Sequence, residues 1–165
     1  MSSDFSTPEL PPIGIVEHLG EDDRRILSSY GEFLPIHPGK TLIKEGQEQN
    51  SLFLVISGKL HAVGLQNGRE ILLGRIGPKE TIGEVNMFDP AKASATVKAV
   101  EFSQVWRIDR EALEEFMNYS PLPAAHVLIG VATTLSRRLR QTNERVIMQT
   151  GSALQSLGGL PESIS

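Results

Sequence analysis

Between Phe33 and Asp109 the chain is a succession of short β-prone runs: TLIKEG, SLFLVISG, KLHAVGL, REILLGRIG, SATVKAV and EFSQVWRID. Gly39, Gly46, Gly58, Gly68, Gly74 and Gly77 punctuate them. Glycine accepts the positive φ that tight turns demand, and runs this short cannot complete the three turns of an ordinary helix. Six or more such strands with frequent turn glycines point to a mostly β protein, an antiparallel β-roll of jelly-roll type. Within the last run, Phe102, Trp106 and Ile108 share one strand face and are expected in the core.

Helical spacing brackets this β region. GEDDRRILSSYGEFL opens with an acidic turn and then offers Ile26, Leu27 and Tyr30, a short amphipathic helix. At the other end Asp109 suits an N-cap, and Leu113, Phe116 and Met117 repeat at i, i+3, i+4. Ser120 followed by Pro121 is a second helix start, and the next break is Gly151. The helix expected over about 121–149 is some 40 Å long, more than so small a domain needs. Leu128, Leu135 and Thr142 are spaced by seven, as are Ala132, Leu139 and Val146. Interleaved, they make a seam for a second copy of the chain, while Arg137, Arg138, Arg140, Glu144 and Arg145 charge its flanks. Packing of this helix along its own domain is the other reading of the stripe. Gly130 costs about 1 kcal/mol against alanine in a helix interior, so it marks a close approach or a bend.

The expected organisation is a disordered arm over 1–12, one domain over 13–149 and a flexible tail over 150–165. A net charge of −4 excludes nucleic-acid binding by bulk electrostatics, and the absence of cysteine excludes disulfides and thiolate chemistry. No apolar run approaches the roughly 20 residues of a membrane span, and the first residues carry no secretory pattern, so a cytoplasmic protein is expected. His18, His37, His61 and His126 lack ligand spacing, and no nucleophile elbow, P-loop or dinucleotide fingerprint occurs. No enzyme, catalytic residue, metal or cofactor is therefore expected.

IGEVNMFDPAKASATVKAV, from Ile82 to Val100, joins these elements. A Gly-Glu pair opens it and a small-residue run closes it. Taken with LIKEGQEQNSLFLVISGKLHAV and LSRRLRQTNERV, in that order along the chain, it resembles the cyclic nucleotide-binding domain. Among the members of that family it is most similar to the bacterial catabolite-activator cAMP receptors. The resemblance covers about residues 15–148. It implies a non-enzymatic regulatory protein with cAMP or cGMP as ligand, and a homodimer formed through the long helix.

Residue by residue, the resemblance implies that Glu84 accepts the ribose 2′-hydroxyl. Gly83 and its neighbours, Val85 among them, would present backbone N–H groups, and Ser94 would meet the cyclic phosphate. Thr142 and Asn143 match the pair that reaches the purine. Ala93 stands where the family carries its phosphate-binding arginine. Without that fork a charge-assisted pair worth about 1.5–3 kcal/mol is missing. Lys92 is adjacent, but alternate strand residues face opposite sides, so its ammonium is expected to point away. Each residue also has a plainer reading. Glu84 could cap the turn, Ser94 to Thr96 could be small for packing, and Thr142 and Asn143 could be seam and flank. After the long helix too little chain remains for the helix-turn-helix of the activators, so no direct DNA binding is expected. Two function classes stand: a cyclic-nucleotide sensor signalling to a separate protein partner, and a nucleotide-independent interaction scaffold.

Overall fold

The computed structural model describes residues 8–157. A 3-10 turn (Gly14–Val16) precedes α1 (Glu21–Ser29). Ten strands follow: β1 (Glu32–Ile36), β2 (Thr41–Ile43), β3 (Glu48–Gln49), β4 (Ser51–Ser57), β5 (Leu60–Gln66), β6 (Arg69–Ile76), β7 (Thr81–Ile82), β8 (Ala91–Lys92), β9 (Thr96–Ala99) and β10 (Ser103–Asp109). The helix α2 (Glu84–Phe88) interrupts them, and α3 (Arg110–Tyr119) and α4 (Pro121–Leu157) end the described chain. Every pairing is antiparallel, in two four-stranded sheets ordered β1-β10-β4-β7 and β2-β9-β5-β6, with a ribbon β3-β8. This is the β-roll that the glycine punctuation predicts.

The six runs read from the sequence became β2, β4, β5, β6, β9 and β10. Pro35 lies in β1, an edge strand, where its missing N–H leaves no ladder bond unmade. β4 is buried from Ser51 to Val55 without alternation, because both its faces are covered. Phe53 and Val55 enter the roll interior with Ile43, Leu60, Ile82, Ala93, Val97, Ala99 and Val105. Trp106 is buried, its indole donating to Ser28 O of α1 (3.4 Å), and Ile108 is buried too. Phe102 is not part of the core. It precedes β10, is 48% exposed and meets the His37 ring in a T-shaped contact (centroids 5.4 Å).

Asp109 caps α3 as expected, accepting from Ala112 N at 2.9 Å. Two boundaries differ from the sequence reading. Of the arm expected to be disordered over 1–12, residues 1–7 lie outside the described residues, but Leu10 is fully buried. Its N–H donates to Ser28 Oγ (2.9 Å) and its carbonyl accepts from Arg24 Nε (3.1 Å). Of the tail expected over 150–165, Thr150 to Leu157 continue α4 through Gly151, and 158–165 lie outside the described residues. The helix is thus 37 residues long, about 55 Å. Gly151 does not adopt the positive φ of a helix-ending glycine.

The chain divides into two units, Met1–Val131 and Ala132–Ser165. The first holds the roll, α1 to α3 and the start of α4, where Ala124, Val127 and Val131 are buried. There Gly130 marks a close approach: a Cβ on it would lie 3.0 Å from Ile15 Cα and Ile15 O. In the second unit the described residues form only the remainder of α4.

Candidate functional site

Strand β7 runs into α2 through Gly83, whose φ of 85° is left-handed. A side chain there would collide with Ser51 O and with the amide of Gln49, so glycine is required on both counts. This turn sets the next residue, Glu84, facing inward at 2% exposure, with Met87 buried one turn on. Met87 N closes the helix onto Gly83 O (3.1 Å) and Asp89 N onto Val85 O (2.8 Å). Val85 faces outward.

The return limb is held from both sides. Asn86 donates its side-chain amide to Ala91 O (2.8 Å) and less closely to Lys92 O (3.4 Å). In β8, Lys92 lies across from Glu48 and Ala91 across from Gln49. Ala93 N donates to Gln47 O and Gly46 N to Ala93 O, both at 2.8 Å. Lys92 is exposed and Ala93 is 6% exposed, within the apolar cluster of the roll. The two are thus separated as expected, although Ala93 lies just past β8, whose own residues Ala91 and Lys92 are both exposed. Ser94 is exposed, Ala95 and Thr96 are half-buried, and Thr96 Oγ1 accepts from Glu45 N at 3.0 Å.

Gln49 is a residue the sequence reading missed. Its amide is clamped to Ser51, donating to Ser51 O (2.7 Å) and accepting from Ser51 N (3.1 Å). The same amide lies over Gly83. Arg107 Nε in turn donates to Ser51 Oγ (3.0 Å) while Nη1 pairs with Glu32 (3.1 Å). Outside this frame, Glu48, Gln49, Asn50, Pro90, Ala91 and Lys92 line a cleft of about 520 Å³.

The structure therefore brings Gly83, Glu84, Val85, Lys92, Ala93 and Ser94 into one loop-and-ribbon assembly. Thr142 and Asn143 belong to the second unit, on an exposed stretch of α4, where Thr142 Oγ1 donates to Arg138 O (2.9 Å). Of the seam residues, Leu128 and Leu135 are half-buried, whereas Ala132, Leu139, Thr142 and Val146 are exposed. Among the described residues no group of three or more His, Cys, Asp or Glu could hold a metal, and no helix is long and apolar enough to cross a membrane.

A β-roll with a short helix launched from a left-handed glycine and opened by a buried glutamate, together with a long C-terminal helix, defines the class of fold. The chain belongs to the cyclic nucleotide-binding domain family, whose model matches residues 33–120, just over half the chain. It is similar to a CRP-like cAMP-activated global transcriptional regulator of Mycobacterium tuberculosis, 32% identical over 110 residues. That match covers 66% of this chain and 47% of the relative. The chain thus spans about half the length of the curated relatives it matches first. Among solved structures, the N-terminal domain of a transcriptional regulator from Streptomyces coelicolor A3(2) superposes with TM-score 0.66 at 30% identity, over 82% of this chain and 92% of that one. The catabolite activator protein of Thermus thermophilus gives TM-score 0.73 at 26% identity, over 85% and 63%.

Proposed function

We propose that this chain is a non-enzymatic, cytoplasmic regulatory module that binds cAMP or cGMP weakly, acts as a homodimer through α4 and passes its state to a protein partner. The observation that carries the reading is the Gly83–Glu84 turn. A left-handed glycine required by Ser51 and Gln49 sets a carboxylate inward at the start of α2. In this reading Glu84 accepts the ribose hydroxyl, the N–H groups around Gly83 and Val85 face the phosphate, and Ser94 adds its hydroxyl. Weak affinity follows from Ala93. Loss of a charge-assisted pair worth about 1.5–3 kcal/mol lowers affinity roughly 10- to 100-fold, and more if the phosphate is left buried and unpaired. Lys92, exposed on β8, does not substitute.

Calorimetry with cAMP and cGMP on the wild type, Ala93→Arg, Glu84→Ala and Lys92→Ala tests this. The expected order is Ala93→Arg tightest, wild type and Lys92→Ala alike and weaker, Glu84→Ala without measurable binding. A second reading, a nucleotide-independent scaffold, is favoured by one observation: Ala93 is a member of the apolar cluster rather than a gap in it. Silence of both wild type and Ala93→Arg in calorimetry would select the scaffold.

A further inference from the structure

The hairpin of β5 and β6 is closed by Asn67 and Gly68, whose φ values of 52° and 76° make the tight turn that suits strand twist. Its second limb, β6, ends the sheet order β2-β9-β5-β6 and so has one neighbour. Among the described residues its main chain bonds only to β5, and the N–H and C=O groups of its other side are open to a further strand. The other three sheet edges are blunted. β1 carries Pro35, β7 has two residues, and β2 has three with a register shift. β6 has eight residues, and Ile71, Leu72 and Leu73 at its centre are 38%, 46% and 50% exposed. Leu65, opposite Glu70 on β5, is exposed as well. An edge that needs only protection carries lysine or proline at its centre, whereas this one keeps its charges at the ends.

We infer that β6 is a docking edge for an extended segment of a partner protein, apolar at its centre and acidic at both ends, which adds to the sheet as a further strand. The inference rests on the reading above of a module that passes its state to a protein partner, and it gives that partner a place and a chemistry. The ends decide the charge. Arg69 and Arg75 stand six residues apart, about 20 Å along the strand, and neither has an ion pair among the described residues. Glu70, between them, is held by Lys98. The free charge of the edge is thus positive at each end. The same two residues disfavour a second copy of β6 as occupant. Pairing about Leu72 sets arginine against arginine at both ends in either strand direction, and like charges directly opposite repel. The register shift between Ala62 and Val63 makes Leu73 the extra residue of a bulge. The added strand therefore has two short straight stretches, Arg69–Leu72 and Gly74–Ile76, which suit a transient contact of micromolar affinity.

Fluorescence anisotropy on the full chain tests this, with a labelled synthetic peptide Thr-Glu-Thr-Val-Val-Val-Thr-Glu-Thr as probe. Its glutamates match the spacing of Arg69 and Arg75, and it reads the same in both directions. Saturable binding is expected. It should be roughly tenfold weaker for the double variant Arg69→Glu, Arg75→Glu, and equally so for wild type with a peptide carrying lysine in place of both glutamates. Proline at the central valine removes a ladder N–H and should abolish binding. Equal binding of the glutamate and lysine peptides overturns the charge assignment, and equal binding of the proline peptide overturns strand addition. A glutamate peptide that does not bind wild type overturns the inference outright. Light scattering covers the other occupant: a particle mass that falls on Leu72→Lys means that a second copy covers β6, and the partner assignment fails, whereas an unchanged mass supports it. Nucleotide calorimetry reads the cassette and the peptide reads the edge, so failure of one is distinguishable from failure of the other.

Discussion

An arginine at Ala93 would start from within the apolar cluster that also holds Ile43, Phe53, Leu60 and Val105. Without ligand, Ala93→Arg should therefore cost roughly 3 kcal/mol, about 6–12 °C in melting temperature. If the Gly83–Glu84 frame binds, cAMP at a hundredfold excess over its Kd should return about 2.7 kcal/mol of this. A melting curve that ignores nucleotide would sink the frame's assignment. Lys79 offers a converse case. It holds φ 76° in the turn that Glu80 N closes onto Gly77 O (3.3 Å), behind Pro78. A side chain in that region costs about 1–2 kcal/mol, which glycine's entropy only partly offsets, so Lys79→Gly should raise stability by roughly 0.5–1 kcal/mol in urea titration. The in–out split of Lys92 and Ala93 matches the sequence expectation, but β8 ends at Lys92 with both its residues exposed, so the bonds of Ala93 to Gln47 and Gly46 place it rather than strand alternation. Gln49 was not legible. Its role depends on β3 meeting β8 more than forty residues away and on Gly83 coming up beneath its amide.

At the scale of elements, Asp109 shows local signals succeeding: a capping residue before an i, i+3, i+4 apolar pattern became the N-cap of α3. Asp109→Ala should cost about 1 kcal/mol, read by thermal melting with no change in oligomeric state. Gly130 shows a signal with two readings, close approach or bend, and only the packed structure chose. Gly130→Val would press its methyls on the Ile15 backbone, and a loss of about 1–3 kcal/mol is expected. A neutral result would mean that the 3-10 turn yields freely. Gly151 was read as a helix stop because glycine is a poor helix former. One interior glycine costs only about 1 kcal/mol, however, and a helix of 37 residues continues past it. Phe102 failed for a different reason. The strand period was carried back past Ser103, where β10 begins, so its alternation did not extend that far.

For the molecule as a whole, the described part of the second unit is one helix whose apolar face is open to water, and a lone helix is marginal there. Dilution of the wild type below its dimer Kd should thus reduce the helical signal at 222 nm while leaving the melting of the roll unchanged. Helicity that is constant down to nanomolar protein would mean that the helix is covered within one chain. The sequence by itself determined the class of fold, because turn glycines, strand-length runs and the 3.6-residue period are local properties that neighbouring residues enforce. Through the resemblance it also placed alanine at position 93 where an arginine was expected, and a difference of charge needs no coordinates to be seen. The tertiary structure alone decided that the N-terminal segment from Leu10 packs against α1, that Gly83 must lack a side chain and that Gln49 braces it. These depend on close approaches between segments far apart in the chain, which no local pattern encodes.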